Sequence, residues 1–494
     1  MITLAELLPE YPLLLPEQTV TGIKLDSRQV TNGDLFVAVQ GYQSDGRDFI
    51  EQAIVAGAHA VLAEADVEEV RNRQGVPIIA VPQLRNHLSA IAGRFFGHPS
   101  HAMKVIGVTG TNGKTSVTHI LAQLLAQLGE TAGVIGTTGS GLIGRLLPEQ
   151  HTTPDAVAVQ QRLATLKAEG ATAVAMEVSS HALVQRRVEA LQFSAAAATN
   201  ISRDHLDYHG TMAAYSEAKL RLFTELNPQH AVLNADDATL RGWQLELQAA
   251  EVPVQTFSLE AATAQWRAAE IEFEDHGTRF TLHTQAQQYA VQSPLLGQFN
   301  VYNVLTALST LATLGYDLVA ATRAVAKLQP VPGRMETFFS DGQPLAVVDY
   351  AHTPDALQQV LQALRRHCRG QLWCVFGCGG DRDRGKRPQM GRVAAELADR
   401  VVVTDDNPRT EDAEHIIADI LTGMVRRDHV EVKPGREAAV LATLAAAGPQ
   451  DVVLLAGKGH EDYQVIGRQR VPYNEREVVA GFMLQRGAKV AGDL

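Results

Sequence analysis

Apolar and polar positions follow two periods along this chain. Val117, Ile120, Leu121, Leu124, Leu125 and Leu128 recur every three or four residues, which makes one apolar face of a helix. Directly before them, residues 104–109 form a short apolar run of strand length. Similar runs lie at 34–39, 60–63, 77–81, 173–176, 195–199, 231–233, 345–349, 372–376, 401–404 and 451–456. Helical patterns fit between them, for instance at 49–58, closed by Gly57, and at 84–96. Strands alternating with helices predict an α/β protein with largely parallel sheets. Residues 256–291 alternate without a helical period, which predicts an antiparallel extension or subdomain. Turn-rich stretches at 97–100 and 330–334 suggest three domains: 1–99, 100–331 and 332–494. In the last of these each strand ends in a polar loop, where open α/β sheets bind their ligands.

Composition narrows the class. The chain has 494 residues, 45% hydrophobic and 20% charged, the mix of an ordinary globular protein of about three domains. Lys and Arg number 43 against 55 Asp and Glu, a formal net charge of −12. That balance excludes a general binder of nucleic acid or anionic membrane, yet basic residues focused in clefts can still hold anionic small molecules. Three cysteines, Cys368, Cys374 and Cys378, exclude a disulfide scaffold and suit a reducing compartment. Cys374 and Cys378 have metal-like spacing without a matching second pair, so a strand cysteine and a turn cysteine are expected. The N-terminus shows no signal-peptide pattern. The longest run without Asp, Glu, Lys or Arg, 280–316, contains Pro294, Gly297 and many amides, so no membrane span is expected. These features predict a cytoplasmic protein.

The strongest motif is Gly110-Thr111-Asn112-Gly113-Lys114-Thr115-Ser116, between a strand and the amphipathic helix. Glycines let backbone N–H groups approach phosphates, and the helix N-terminus adds partial positive charge. Lys114 can neutralise outer phosphates, and the Thr115 hydroxyl can bind Mg2+. Gly107 lies one residue too far back for the commonest spacing. Three further elements follow. Glu177 ends an apolar strand, Asp204-His205-Leu206-Asp207 crowds acids and histidine, and Lys219 sits on a helix. Singly they read as a buried ion-pair partner, a capping residue and a solvated charge; together, downstream of a phosphate loop, they suggest a metal–nucleotide site.

Seven motifs in one order resemble the Mur ligases, the ATP-dependent amino-acid ligases of peptidoglycan precursor synthesis. They are the phosphate loop, Glu177-Val178-Ser179-Ser180-His181, Asp204-His205-Leu206-Asp207, Asn300 with Asn303, Pro332-Gly333-Arg334-Met335-Glu336, Asp349-Tyr350-Ala351-His352-Thr353-Pro354, and Gly457-Lys458-Gly459-His460-Glu461. The resemblance covers nearly the whole chain. It implies a three-domain α/β architecture: an N-terminal UDP-binding domain, a central phosphate-loop ATPase domain and a C-terminal Rossmann-like domain. It implies that ATP phosphorylates the free carboxylate of a UDP-muramoyl dipeptide, and that an amine then displaces phosphate to give an amide. Lys114, Glu177, His205 and Lys219 would be catalytic. Gly110 to Ser116, with Asn303, Arg334 and Asp349, would hold ATP. Thr115 and Glu177 would hold one Mg2+, and His205 a second. Lys219 matches the family's carbamylated lysine (N6-carboxylysine), a carboxylate-like metal ligand.

For the UDP-muramoyl dipeptide the resemblance implies Leu25 and Ser27 on the uridine, and Tyr42, Gln43 and Ser44 facing the pyrophosphate. His151, Thr152, Thr153, Ser179, Gln185 and Arg187 would hold the muramoyl dipeptide. Tyr42 and His151 depart from the family's usual His and Asn. Asp406-Asn407-Pro408-Arg409 follows the strand at 401–404 and resembles the diaminopimelate-adding branch. A diaminopimelate side chain ends in an ammonium and a carboxylate. Arg409, as a buried guanidinium, with Arg382, suits the carboxylate, and Glu461 after Gly457 supplies the anion. The expectation is a monomeric ligase joining meso-diaminopimelate to UDP-N-acetylmuramoyl-L-Ala-D-Glu, without nucleic acid or membrane partners. A sister ligase using lysine, a folylpolyglutamate synthetase-like enzyme, a phosphate-loop kinase or GTPase, and a non-catalytic scaffold are the other readings. The last two leave the C-terminal motifs, or the retained Lys114 and Glu177, without a purpose.

Overall fold

The computed structural model describes residues 1–11, 18–41 and 44–490. These divide into two compact units: Met1–Arg267 with Leu305–Ala321, and Ala268–Val304 with Thr322–Leu494. Among the described residues, no helix is long and apolar enough to cross a membrane.

The first unit holds two main sheets beside the short antiparallel pair Ile2–Thr3 with Thr19–Val20. The smaller runs Gly22–Lys24, Asp34–Ala38, Ala60–Ala65, Val76–Pro82 and Glu69–Arg73 in spatial order. Its first four strands are parallel and the last is antiparallel. Glu69–Arg73 carries a single apolar residue, Val70, and therefore has no apolar strand signature. The larger sheet places Lys104–Thr109 between Ala173–Glu177 and Ala195–Ala198, all parallel. Ala132–Gly136 extends it on one side, and Ala231–Asn234 and Val254–Ser258 on the other. The inner strands are buried on both faces, which is why they read as continuous Val, Ile and Ala runs. Helix Lys114–Gln127 buries Val117, Ile120, Leu121, Leu124 and Leu125, the predicted face.

The region 256–291 differs from expectation in part. Val254–Ser258 pairs parallel with Ala231–Asn234, and its residues Phe257 and Ser258 pair parallel with Trp266 and Arg267. Gly277–His283 and Gln288–Ser293, in the second unit, form an antiparallel hairpin. Alternation along a strand reports which face is buried but not which way the neighbour runs.

The second unit's sheet orders Glu336–Phe338, Leu345–Asp349, Val452–Ala456, Leu372–Phe376, Arg400–Val403 and Val430–Val432. All but the first are parallel. Cys374 lies inside its strand and Cys378 just beyond it. Burial pushes both thiols up to about 12, the behaviour of packed rather than reactive cysteines. The sequence elements that carry candidate chemistry follow the carboxyl ends of these parallel strands.

Candidate active site

The phosphate-loop motif connects Lys104–Thr109 to helix Lys114–Gln127. Gly110 has φ +137°, and a Cβ there would lie 2.0 Å from Thr199 Oγ1, so no other residue fits. The loop is pinned from the next strand end. Thr111 N–H donates to Asn200 O (2.8 Å) and Asn112 N–H to Asn200 Oδ1 (3.0 Å). The Thr199 hydroxyl donates to Asn112 O at 2.5 Å. Gly113 precedes the helix with no side-chain cap, which leaves the first-turn N–H groups to face an anion. Ser116 lies in that first turn. Lys114 Nζ donates to Gly110 O (2.9 Å) and Thr111 O (2.8 Å).

Glu177, at the end of its strand, is buried. Thr115 Oγ1 donates to its Oε2 (3.0 Å), and Thr137 N–H to its Oε1 (2.7 Å). Burial raises its pKa, opposed chiefly by the Lys114 charge and by the Thr137 backbone hydrogen bond. Thr137 Oγ1 also reaches Thr152 Oγ1 (3.0 Å), while Thr153 Oγ1 donates to Glu177 O (2.8 Å).

A cavity of about 340 Å3 opens beside these groups. Lys114, His151, Thr152, Thr153, Ser179 and Arg187 line it, together with Ser180, His181, His205 and Lys219. It thus gathers eight residues that the sequence singled out: Lys114, His151, Thr152, Thr153, Ser179, Arg187, His205 and Lys219. Arg187 donates to Gln185 Oε1 (2.6 and 3.0 Å) and to Thr153 O (2.5 Å). Lys219, on helix Met212–Thr224, is 1% exposed, which rules out a solvated charge. Its Nζ donates to Gly110 O at 2.8 Å and lies 4.8 Å from the Tyr215 ring centroid. Burial, reinforced by the Lys114 charge, pulls its pKa well below the usual lysine range. His205 stands at the N-cap of Leu206–His209 with φ +52° and makes no side-chain cap bond, so it is not a capping residue. Its ring is edge-on to His181 at 4.9 Å.

Ser27 Oγ donates to Gln52 Oε1 (3.0 Å), and Leu25 packs on the N-terminal core. Ser44 is exposed, and its carbonyl accepts from Gly41 N–H (2.9 Å). Tyr42 and Gln43 lie outside the described residues.

In the second unit, Asn303 is buried and donates to Asn300 Oδ1 (2.9 Å). Arg334 lies over the Tyr350 ring at 4.8 Å. Asp349 accepts backbone N–H groups from Met335 and Ala351, each at 2.8 Å, and burial raises its pKa. The loop after Arg400–Val403 meets the loop after Val452–Ala456. Asn407 Nδ2 donates to Glu461 Oε2 (3.0 Å), and Lys458 Nζ bridges Asn407 Oδ1 (3.0 Å) and Glu461 Oε2 (2.7 Å). Asp406 is buried, and its Oδ1 has no hydrogen-bond partner. Arg409, at φ +53°, donates from Nη1 to Gly380 O (2.8 Å). It is half-buried rather than buried, because its turn lies at the rim of the loop cluster. Arg382 is exposed, and a Cβ on Gly379 would touch Arg409 Nη1 (2.7 Å) and Arg382 Cγ (3.7 Å). The Arg409 and Arg382 side chains thus approach the same glycine from two sides.

Three family models match the sequence: the Mur ligase family catalytic domain over residues 19–96, the Mur ligase middle domain over 108–311, and the Mur ligase glutamate ligase domain over 333–459. A solved structure named UDP-N-acetylmuramoyl-L-alanyl-D-glutamate–2,6-diaminopimelate ligase is 39% identical, covering 98% of this chain and 99% of its own, with TM-score 0.76. The chain belongs to the Mur ligase family. Two more distant structures share the fold. MurF ligase from Thermotoga maritima, in complex with ADP, is 21% identical over 95% of this chain and 97% of its own, with TM-score 0.61. Folylpolyglutamate synthase from Mycobacterium tuberculosis, with ADP and AMPPCP, is 19% identical over 81% and 94%, with TM-score 0.60. As a Mur ligase the protein is an ATP-dependent, amide-bond-forming enzyme of peptidoglycan precursor synthesis, acting on small molecules.

The structure adds residues to this Mur ligase that the sequence left unmarked. Thr137 completes the donor set on Glu177. His181 lines the cavity, and burial followed by the charges of His205 and His209 lowers its pKa to about 4. Lys458, 0% exposed, joins the two loops of the second unit. His181 and Lys458 stand inside motifs already quoted, which was their only signal; Thr137 had none. Among the described residues no three His, Cys, Asp or Glu side chains converge as a metal cage. The Thr115 hydroxyl and the Glu177 carboxylate instead form an oxygen pair, which fits a hard cation that brings phosphate oxygens of its own.

Proposed function

We propose that this Mur ligase joins meso-2,6-diaminopimelate to UDP-N-acetylmuramoyl-L-alanyl-D-glutamate, as a cytoplasmic monomer. The observation that carries the reading is the loop cluster of the second unit. There Arg409 shares a loop with Asp406 and Asn407, Asn407 Nδ2 donates to Glu461, and the buried Asp406 Oδ1 makes no hydrogen bond, with the Lys458 ammonium 3.6 Å away. A distal ammonium paired with a distal carboxylate satisfies both charges. L-Lysine satisfies only the first and leaves Arg409 without its anion. The relative at 39% identity carries the same name for its reaction.

The chemistry runs in two displacements. The free carboxylate of the dipeptide attacks the γ-phosphorus of ATP; an O–P bond forms, the bridging P–O bond breaks, and ADP leaves. The amine of diaminopimelate then attacks the acyl carbon and loses a proton. A C–N bond forms, the C–O bond breaks, and phosphate leaves. Lys114 and the helix N-terminus offset the charge that grows on the transferring phosphoryl oxygens. Arg187, held by Gln185 and Thr153, suits a carboxylate of the dipeptide. Thr115 and Glu177 are the residues that would hold Mg2+, with His205 and carbamylated Lys219 for a second ion; such ions supply charge neutralisation on phosphate oxygens. Lys219 suits carbamylation because its burial favours the neutral amine, whose lone pair can form the N–C bond to CO2 with release of a proton.

The test is a panel assay. With ATP and the UDP-dipeptide, phosphate release and a UDP-tripeptide should require meso-diaminopimelate. Equal turnover with L-lysine would overturn the amino-acid assignment, and hydrolysis needing neither substrate would overturn the ligase reading.

A further inference from the structure

The loop cluster contains a fully buried lysine that neither the nucleotide chemistry nor the binding of a distal carboxylate uses. Lys458 is 0% exposed. The backbone N–H of Glu461 donates to Lys458 O (3.0 Å), and this turn brings the two side chains together. Lys458 Nζ then faces three acceptors: Glu461 Oε2 at 2.7 Å, Asn407 Oδ1 at 3.0 Å and Asp406 Oδ1 at 3.6 Å. The Tyr463 ring lies 5.6 Å away on another side. The nearby Arg436 has an anion of its own: Glu475 accepts from it at 2.5 and 2.9 Å, and both side chains are 0% exposed.

Two consequences follow. The first is orientation. Asn407 Oδ1 accepts from both Lys458 and Val465 N–H (2.9 Å), so its Nδ2 must face Glu461. The second is charge. Two carboxylates and one ammonium leave a single unit of negative charge in a water-poor loop cluster. That amount matches one substrate ammonium and leaves nothing to repel the carboxylate beside it.

We propose that Lys458 is a positioning and specificity-setting residue. It holds Asn407 and Glu461 in register and cancels one of the two carboxylates, so that the cluster selects an amino acid whose far end carries an ammonium together with a carboxylate. A bare ammonium, as in L-lysine, is disfavoured only while Lys458 keeps the negative charge down to one unit. This role rests on the diaminopimelate reading above.

Lys458→Met keeps the side-chain length and removes the charge. The variant should raise the diaminopimelate KM about tenfold or more with kcat within about threefold, leave the KM for ATP and for the UDP-dipeptide unchanged, and cut the preference for diaminopimelate over L-lysine at least about tenfold. The double variant Lys458→Met with Glu461→Gln returns the cluster to one negative charge and should regain most of that preference, at a raised KM. A Lys458→Met enzyme that loses kcat equally with every amine, at unchanged preference, would overturn the proposal. If the single variant yields no folded protein, the double variant carries the test: preference retained supports the proposal, and preference lost overturns it. Failure of the wild-type enzyme to use diaminopimelate at all would sink the underlying reading instead, an outcome recognisable before any variant is made.

Discussion

The phosphate loop of the first unit and the loop cluster of the second hold charge in opposite ways. Around the phosphate loop, Lys114 and Lys219 both donate to Gly110 O, a neutral carbonyl. Burial there disfavours the ammonium form of Lys219, and the buried carboxylate Glu177, which feels the Lys114 charge, is desolvated. Such a region is built to be completed by a polyanion. In the second unit, buried cations already own their anions: Arg436 has Glu475, Arg387 has Glu411 and Asp419, and Lys458 has Glu461 and Asp406. A region whose charges are mutually matched has only small imbalances to offer, and small imbalances discriminate between similar amino acids. On the proposed function, one region supplies electrostatic strength and the other supplies selection.

This contrast can be broken experimentally, and the deepest break is expected at the phosphate loop. Lys114→Ala removes the fixed cation nearest the loop, and ligation should fall about 10³-fold or more, measured as kcat for phosphate release. Near-normal turnover would remove the phosphate-loop assignment. Glu475→Ala, in the second unit's core, strands Arg436 without its anion. We expect a stability loss of about 3–5 kcal/mol in urea titration, as for other broken buried pairs. A loss below about 1 kcal/mol would show that the second unit is not held by its charge pairs.

Acid should separate the regions next. His119, in the helix behind the phosphate loop, is buried with Nε2 2.7 Å from Thr138 Oγ1, and burial lowers its pKa to about 4. The unfolded chain takes up a proton near pH 6.5 while the native state does not. Stability of the first unit therefore declines as pH falls from about 6.5 to about 4, by up to about 3 kcal/mol. His119→Gln should flatten that slope. In the second unit Arg387 holds Glu411 down to about 2, so that pair stays intact through the same window. Hydrogen exchange at pH 5 should show earlier opening of Lys114–Gln127 than of Arg400–Val403; the reverse order would refute this assignment. The smallest effect expected is at the rim: Arg409→Ala should raise the diaminopimelate KM about 10- to 100-fold, with ATP kinetics unaltered, in keeping with the loss of one charge-assisted contact.

Much of this could be read along the chain because it is local. A strand, a glycine turn and an amphipathic helix in succession specify a phosphate loop within about 25 consecutive residues, since each element's pattern depends on near neighbours. The parallel core strands were legible for a related reason: burial on both faces demands unbroken apolar runs. The sequence also marked, through its resemblance, nearly every residue lining the first-unit cavity. It could not show that Thr137 reaches Glu177, that His205 lies edge-on to His181, or that Lys219 is buried against Gly110, because those contacts join segments 24 to 109 residues apart. Neither could it show that Val254–Ser258 runs parallel to its neighbour, since a strand's own alternation carries no record of its partner's direction. The matching of charges belongs to tertiary structure most of all. Arg436 and Glu475 are ordinary polar residues on paper, and the motifs that contain Asn407 and Lys458 do not say that the two side chains meet. Only folding removes them from water together, and that shared desolvation turns a distant pair into a requirement.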